Sequence, residues 1–237
     1  MIPLVLENVS KTRGRGARAV EVLHGVSLAV EAGEFVLLEG PSGSGKTTLL
    51  AVAGGILTPE SGRVFLEGHR LHGDSRASDR GRRAKTVGFV FQRSNLLPQL
   101  NIQENVLLMG RIAGMKGADA SREAEDLLRR LGLFELRYRR PRELSCGEEQ
   151  RVAVARALIH RPRIVLADEP TGNLDSQAGQ AVAESLAKLA GSRGSAVIVA
   201  THDVRLASFA SRRIKIEDGR IRPEGNPVSP ARPEGGR

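Results

Sequence analysis

Phe35-Val36-Leu37-Leu38-Glu39 is followed directly by Gly40-Pro41-Ser42-Gly43-Ser44-Gly45-Lys46-Thr47-Thr48. A short apolar run thus ends in a glycine-rich turn, after which Leu49 and Leu50 continue a helical pattern. The motif Gly-x-x-x-x-Gly-Lys-[Ser/Thr] between a strand and a helix is typical of a phosphate-binding loop. Its glycines let successive backbone N–H groups curl around an anion, and the positive end of the helix dipole points to the same place.

This loop predicts a bound nucleoside triphosphate. Lys46 would reach the β- and γ-phosphates, and the Thr47 hydroxyl would be a ligand of Mg²⁺. The phosphate-binding residues would be Gly40, Pro41, Ser42, Gly43, Ser44, Gly45, Lys46, Thr47 and Thr48. The alternative is a glycine-rich turn with an incidental lysine, which requires a chance match to the whole motif.

A second apolar strand pattern, Ile164-Val165-Leu166-Ala167, ends in Asp168 and Glu169. A buried strand that delivers acids at its carboxyl end can provide the second Mg²⁺ position beside a phosphate loop. Asp168 would hold the metal, directly or through water, and Glu169 would orient and polarise the attacking water. The alternative is a pair of surface acids in a turn.

Composition bounds the class of protein. The 237 residues, 40% hydrophobic and 27% charged, are typical of a globular chain of one or two domains. The single cysteine, the short apolar runs and the absence of a signal-peptide pattern favour a cytoplasmic protein. The net charge of +9 suits solvated faces or a membrane-associated partner, whereas 3% aromatic residues and no Trp make nucleic acid an unfavoured partner.

Apolar patterns along the chain predict a mainly parallel sheet with helices on both faces. Leu4–Ser10, Val26–Val30 and Arg63–Glu67 would form an antiparallel layer, with a turn at Lys11–Ala19. Residues 93–161 show helical periodicity and predict an inserted helical subdomain. The main domain would cover 2–222, and the Pro-, Gly- and Arg-rich residues 223–237 would be a disordered basic tail.

Further motifs resemble those of ATP-binding cassette (ABC) proteins. Leu144-Ser145-Cys146-Gly147-Glu148 is similar to the signature of that family, and Gln92 lies where its Gln loop begins. Gly172-Asn173-Leu174-Asp175 resembles the D-loop, and Thr201-His202-Asp203 resembles the switch histidine after the last core strand. With the two phosphate-site motifs, these occur in the order found in the family and extend over residues 2–222.

The resemblance implies an α/β fold with a P-loop NTPase (RecA-like) core, an antiparallel β layer and an inserted helical subdomain. It also implies Mg²⁺-dependent ATP hydrolysis coupled to transport, by a dimer beneath a membrane permease. In the family, the signature of one subunit closes over the phosphate loop of the other. Ser145, Gly147 and Asp175 would therefore act across the interface, His202 would bind the γ-phosphate, and Gln92 would join the catalytic and metal sites.

Two positions depart from the family pattern. Cys146 stands where the family generally has Gly, close to the incoming triphosphate, where its side chain would either weaken closure or point away. The aromatic residue that stacks on adenine is absent from Lys11-Thr12-Arg13-Gly14, and Arg13 is the nearest substitute because a guanidinium plane can stack on a base.

The segments Phe91–Pro98 and Ala167–Asp175 resemble the lipoprotein-releasing and macrolide-exporter branch. In that branch a pair of ATPase subunits works beneath a separate permease, at the inner face of the cell membrane. Alternatives are an importer ATPase, an FtsE-like cell-division ATPase, a soluble cassette ATPase that acts on nucleic acid or ribosomes, and a module that senses nucleotide without hydrolysis.

Overall fold

The computed structural model describes residues 2–14, 16–72, 76–172 and 174–222. The predicted tail at 223–237 and Asn173 of the D-loop motif lie outside the described residues. The strands are β1 (Leu4–Arg13), β2 (Val20–Val30), β3 (Phe35–Glu39), β4 (Ser61–Leu66), β5 (His69–Arg70), β6 (Val87–Val90), β7 (Ile164–Asp168), β8 (Ala196–Ala200), β9 (Arg212–Glu217) and β10 (Arg220–Ile221).

Helices follow most of the parallel strands. They are α1 (Lys46–Ala53), α2 (Arg76–Thr86), α3 (Ile102–Ile112), α4 (Gly117–Arg130), α5 (Cys146–Leu158), α6 (Ser176–Arg193) and α7 (Val204–Ala207). Short 3-10 turns occupy Gly16–Arg18, Phe134–Leu136 and Pro141–Glu143. Every residue between β6 and β7 is described, and this stretch contains helices and turns without a strand.

The main sheet has the strand order β10-β9-β3-β8-β7-β6, in which all pairs except β10–β9 are parallel. Its inner strands are continuously apolar because both faces are covered. Val165 and Ala167 of β7 belong to the core beneath α3 to α6, whereas Ile164 and Leu166 belong to the core shared with α1 and the antiparallel sheet. The sheet therefore separates two cores, as the alternation of side chains requires.

The antiparallel layer has the order β2-β1-β4-β5. The predicted turn at Lys11–Ala19 was wrong at its beginning, because β1 continues to Arg13 and pairs with β2 through Lys11↔Leu23 and Arg13↔Val20. Glu60 supports this polar end of the strand, since its carboxylate accepts hydrogen bonds from Lys11 Nζ at 2.6 Å and from Thr12 N at 2.8 Å. Register shifts along the β1–β2 pair hide the period of two in the sequence.

The switch motif Thr201-His202-Asp203 follows β8, but β8 is not the last strand of the core sheet, and the sequence patterns predicted no strand beyond it. β9 lies beyond it and pairs in parallel with β3, through Val36↔Arg212 and Leu38↔Ile214. Only Ile214 and Ile216 of β9 are buried. Charged residues alternate with them, so the segment lacks the continuous apolar run that identifies the inner strands.

Candidate functional site

A cavity of about 480 Å³ lies at the carboxyl edge of β3, β6, β7 and β8. This edge is where open α/β sheets bind ligands, because the loops after neighbouring parallel strands converge there. The cavity is lined by Val22, Ser42, Gly43, Gly45, Lys46, Thr47, Thr48, Gln92, Asp168, Glu169 and His202. Residues from the predicted phosphate loop, from the acidic strand end and from the predicted switch motif thus share one site.

The glycines of the loop are required by its geometry. Gly40, Gly43 and Gly45 have φ values of 153°, 81° and 105°, in the region that L-residues rarely adopt. A Cβ at Gly40 would also overlap the carbonyl oxygen of Ile216 on β9. The loop then enters α1 directly at Lys46, so that the free N–H groups of the first helical turn face the cavity.

Lys46 folds back over the loop that precedes it. Its Nζ donates hydrogen bonds to the carbonyl oxygens of Gly40 at 2.6 Å and Pro41 at 2.9 Å. Ser44 in the same loop is 4% exposed, and its hydroxyl oxygen has no hydrogen-bond partner. A cation held over the loop and a buried polar atom left unsatisfied are both suited to an anionic ligand with several acceptor oxygens.

Thr47 and Asp168 are in direct contact, although they lie far apart in the chain. Thr47 Oγ1 donates a hydrogen bond of 2.7 Å to Asp168 Oδ2, and Gln92 lines the same cavity. A hydroxyl, a carboxylate and an amide oxygen are hard ligands that fit Mg²⁺. The described residues contain no cluster of three or more His, Cys, Asp or Glu that could hold a metal.

Glu169 is held by two neighbours at the end of β8. Its backbone N–H donates to the carbonyl of Ala200 at 2.8 Å, and its Oε2 accepts a hydrogen bond from Thr201 Oγ1 at 2.8 Å. The φ of 47° turns its side chain away from the direction of Asp168. His202 Nε2 lies 4.0 Å from Glu169 Oε1, and the His202 side chain is 67% exposed at the open side of the cavity.

Other predicted site residues lie outside this cavity. Ser145 caps α5, where its backbone N–H donates to Glu148 Oε2 at 2.7 Å, and Gly147 lies in the first turn. Cys146 is exposed. Asp175 caps α6 by accepting a hydrogen bond from Ala178 N at 2.9 Å, which lowers the pKa of its carboxyl group.

The structure does not place Arg13 in the cavity wall. Arg13 is exposed at the end of β1, opposite Val20, whereas Val22 lines the cavity. Sequence reasoning did not assign roles to Val22 and Thr201. Thr201 lies in the same motif as His202, but it can bond Glu169 only because β7 and β8 are neighbours in the sheet. The residues of the motif do not indicate which strands are neighbours.

The fold and the site define the class: this is a P-loop NTPase with an α/β core. A family model described as ABC transporter matches residues 23–172, and the chain belongs to that family. The predicted resemblance, the fold class and the assignment as an ATP-hydrolysing subunit of an ABC transporter are thereby confirmed.

Curated relatives agree over nearly the whole chain. The chain is 44% identical to the lipoprotein-releasing system ATP-binding protein LolD of Shewanella denitrificans over 91% of this chain and 93% of LolD. It is 41% identical to the putative hemin import ATP-binding protein HrtA of Staphylococcus epidermidis, over 92% of this chain and 98% of HrtA. The macrolide export ATP-binding/permease protein MacB of Brucella melitensis is 47% identical over 92% of this chain, which spans only 34% of MacB.

Solved structures agree with the fold. A dimeric ATP-binding cassette in a post-hydrolysis state, bound to ADP and Pi, matches with a TM-score of 0.88 and 37% identity over 94% of this chain and 97% of its own. A dimeric bacterial ABC transporter cassette matches with a TM-score of 0.87 and 38% identity, over 92% of this chain and 96% of the cassette. No helix in the described ranges combines the length and the apolar character that a membrane span needs.

Proposed function

We propose that this ATPase subunit works as one of two identical subunits, bound beneath a separate permease of the lipoprotein-release or efflux type. The observation that carries the proposal is a site that is only half built. Lys46, Asp168 and Glu169 converge on one cavity, whereas the signature residues at the start of α5 lie outside it. A second subunit would supply the missing side, as the dimeric form of the related cassettes supports.

The first side of the site would bind the triphosphate of ATP. The backbone N–H groups of the loop, which Pro41 alone lacks, and the Lys46 ammonium would hold the β- and γ-phosphates. Thr47, Asp168 and Gln92 would hold Mg²⁺, which when bound neutralises part of the phosphate charge. The Thr47–Asp168 hydrogen bond supports this assignment, since it already brings a hydroxyl and a carboxylate oxygen together.

Glu169 would act on the attacking water. It follows the metal-site acid in sequence but points elsewhere, and the Thr201 hydroxyl restrains one of its oxygens. His202, at 4.0 Å from the other oxygen, would bind the γ-phosphate and hold it near Glu169. Such positioning matters because the transition state of phosphoryl transfer spreads negative charge that donors must stabilise from several sides.

The second side would come from the partner subunit. Ser145 and the Gly147 N–H at the start of α5 would contact the γ-phosphate, and Asp175 would lie across the interface. Both segments begin helices, whose unpaired N–H groups favour anions. ATP would then hold the two subunits together, and hydrolysis would release them.

An apolar groove is the proposed contact with the permease. Its cavity of about 570 Å³ has apolar walls that include Ile56, Phe89, Phe91, Leu97, Met109 and Ile112. Arg80, Arg83 and Arg156 lie along it. This combination fits an amphipathic cytoplasmic segment of the permease that carries acidic residues. Phe91 lines the groove and directly precedes Gln92, which lines the nucleotide cavity, so the groove adjoins that cavity. Bound to a permease in this way, the protein would be peripheral on the inner face of the cell membrane.

The branch assignment is supported by LolD and MacB among the relatives. HrtA, named for putative hemin import, keeps an importer as the second candidate because it covers this chain to the same extent. Isolation of the membrane protein that co-purifies with this subunit, followed by identification of what the complex transports, separates the two.

Glu169→Gln tests the two-subunit site. The variant keeps the shape of the cavity but removes the carboxylate that handles water, so we expect ATP and Mg²⁺ to convert it to a stable dimer while hydrolysis falls about a thousandfold. Size-exclusion chromatography with light scattering measures the dimer, and phosphate release measures hydrolysis. Lys46→Ala in the same background is the control and should stay monomeric. A Glu169→Gln variant that remains monomeric at saturating ATP would contradict the proposal.

A further inference from the structure

Arg205 on α7 joins two segments of the site that are distant in sequence. Its Nε donates to both carboxylate oxygens of Asp203 at 2.9 Å, and its Nη2 donates to Oδ2 at 2.5 Å. On its other side, Nη1 donates to the backbone carbonyls of Asp175 at 2.9 Å and Ser176 at 3.2 Å. The guanidinium therefore ties the loop after β8 to the start of α6.

The start of α6 is shaped to receive this guanidinium. Gly179 is buried one turn into α6, and a Cβ at that position would overlap the Nη1, Nη2 and Cζ atoms of Arg205. Its φ is not positive, so no backbone conformation requires glycine there. A side chain at this position would instead displace the guanidinium from the space above the helix.

We call the hydrogen bonds from Arg205 to Asp203, Asp175 and Ser176 the clamp. Asp203 connects the clamp to Glu169, the residue that would act on water. Its backbone N–H donates to Thr201 Oγ1 at 3.1 Å, and the same hydroxyl donates to Glu169 Oε2 at 2.8 Å. The side-chain hydrogen bond from Arg205 is the main cause that lowers the pKa of Asp203 from 3.8 to about 2, so this carboxylate is ionised at neutral pH. His202 lies between Thr201 and Asp203, inside the tethered loop.

We propose that Arg205 is a positioning residue that makes the loop carrying His202 and the segment carrying Asp175 move as one body when two subunits close over ATP. The inference rests on the proposed roles of His202 and Asp175. It adds that the partner-facing Asp175 segment and the γ-phosphate-sensing His202 loop are coupled within one subunit through a single planar, bidentate group. A lysine cannot replace it, since an ammonium cannot bind a carboxylate side-on and reach two helix carbonyls at once.

Steady-state ATPase kinetics of Arg205→Ala test the inference. We expect kcat to fall about tenfold or more while the KM for ATP changes by less than about twofold, because the phosphate loop is untouched. Arg205→Lys should recover little. Arg122→Ala, which removes an ion pair of 2.6 Å with Asp119 on the surface of α4, is the matched control and should leave kcat unchanged.

Chemical rescue separates positioning from general stabilisation. Guanidinium ion, far below denaturing concentrations, should restore kcat of Arg205→Ala by occupying the space over Gly179, and it should not restore the double variant Arg205→Ala/Gly179→Ala. A merely structural role would lower the melting temperature without a loss of kcat in the folded protein, and would not be rescued. Asp203→Asn, which keeps the side-chain volume, provides the same kinetic test if Arg205→Ala fails to fold.

The results distinguish this inference from the proposed function. If Arg205→Ala and Asp203→Asn keep kcat within about twofold of wild type while Glu169→Gln still dimerises with ATP, the clamp is wrong and the two-subunit site stands. A change confined to KM would also overturn the clamp. If Glu169→Gln does not dimerise, the two-subunit site itself fails, whatever Arg205 does.

Discussion

Glu169 has a backbone conformation that only its tertiary surroundings stabilise. A φ of 47° is unfavourable for a residue with a Cβ, at a cost of about 1 kcal/mol. The hydrogen bonds from its N–H to Ala200 and from Thr201 to its carboxylate offset that cost. The result is that two adjacent acids, Asp168 and Glu169, point in different directions and can serve different purposes.

His160 makes stability sensitive to pH in the mildly acidic range. It lines the apolar groove with Nε2 at 3.2 Å from the carbonyl of Val87, and its buried Nδ1 has no hydrogen-bond partner. Burial, only partly opposed by the bond to Val87, lowers the pKa of its imidazole below the ordinary 6.5. The unfolded chain therefore takes up the proton first, so the contribution of His160 is present above pH 6.5 and is lost as the pH falls toward the folded pKa.

We expect His160→Gln to flatten the dependence of the free energy of unfolding on pH below about 6.5, since it removes this titration. Urea unfolding at a series of pH values between neutral and mildly acidic measures the effect. His69→Gln, at an exposed position on β5, is the control and should leave the slope unchanged. Equal slopes for wild type and His160→Gln would refute the prediction.

Among the elements, the segment between β6 and α3 is shaped by one buried side chain. Asn105 is fully buried on α3, where its Oδ1 accepts a hydrogen bond from Leu97 N at 2.8 Å and its Nδ2 donates one to Leu97 O at 3.1 Å. The same amide donates to the carbonyls of Leu100 and Asn101. Asn105 therefore fixes the loop that presents Leu97, which is 42% exposed, to the apolar groove.

Leu97→Glu tests the groove as the permease contact. A carboxylate there would face an apolar permease segment and, if that segment is acidic, repel it, so we expect at least about tenfold weaker binding to the permease with ATPase activity of the isolated subunit unchanged. A pull-down with the detergent-solubilised permease measures it. Ile2→Glu, at a residue of matched exposure, 44%, outside the groove lining, is the control. Equal retention of both variants would exclude this groove as the contact.

At the scale of the whole molecule, the site residues divide into one set that lines the cavity and another that lies away from it. Lys46, Thr47 and Asp168 belong to the first set, and Ser145 and Gly147 to the second. If two subunits complete each other, an intact site needs one set from each chain. A subunit with a substitution in the first set and a subunit with a substitution in the second set should then form a mixed dimer that has one intact site.

Mixing Lys46→Ala with Gly147→Asp tests this division. Each variant alone should be inactive, and Gly147→Asp is compatible with folding because an acid in the first helical turn is favourable. In an equal mixture only the mixed dimers contain an intact site, one of their two, so we expect ATP hydrolysis well above that of either variant alone and at most about half of the wild-type rate. Phosphate release from separate and mixed samples measures it. A mixture no more active than its components would contradict the idea that one completed site suffices.

Continuous apolar runs made the inner strands predictable, and the Gly-x-x-x-x-Gly-Lys-[Ser/Thr] motif made the phosphate loop predictable. β3 and β7 are buried on both faces, so nearly every residue in them is apolar, and the chemistry at their carboxyl ends followed from motif and order. β9 was missed because Arg212, Arg213 and Lys215 alternate with its two buried isoleucines. The polar end of β1 was missed because its stabilisation comes from Glu60, which is distant in sequence.

The sequence by itself determined the phosphate loop, the acidic strand end, the order of the motifs and, through them, the class of protein. These features are local, since each depends on residue types at fixed spacing along one strand, turn or helix. Only the tertiary structure decided that Thr47 meets Asp168, that Thr201 restrains Glu169, and that Arg205 fits over Gly179. Such contacts join strands and helices that are neighbours in space but not in sequence, and no spacing along the chain encodes them.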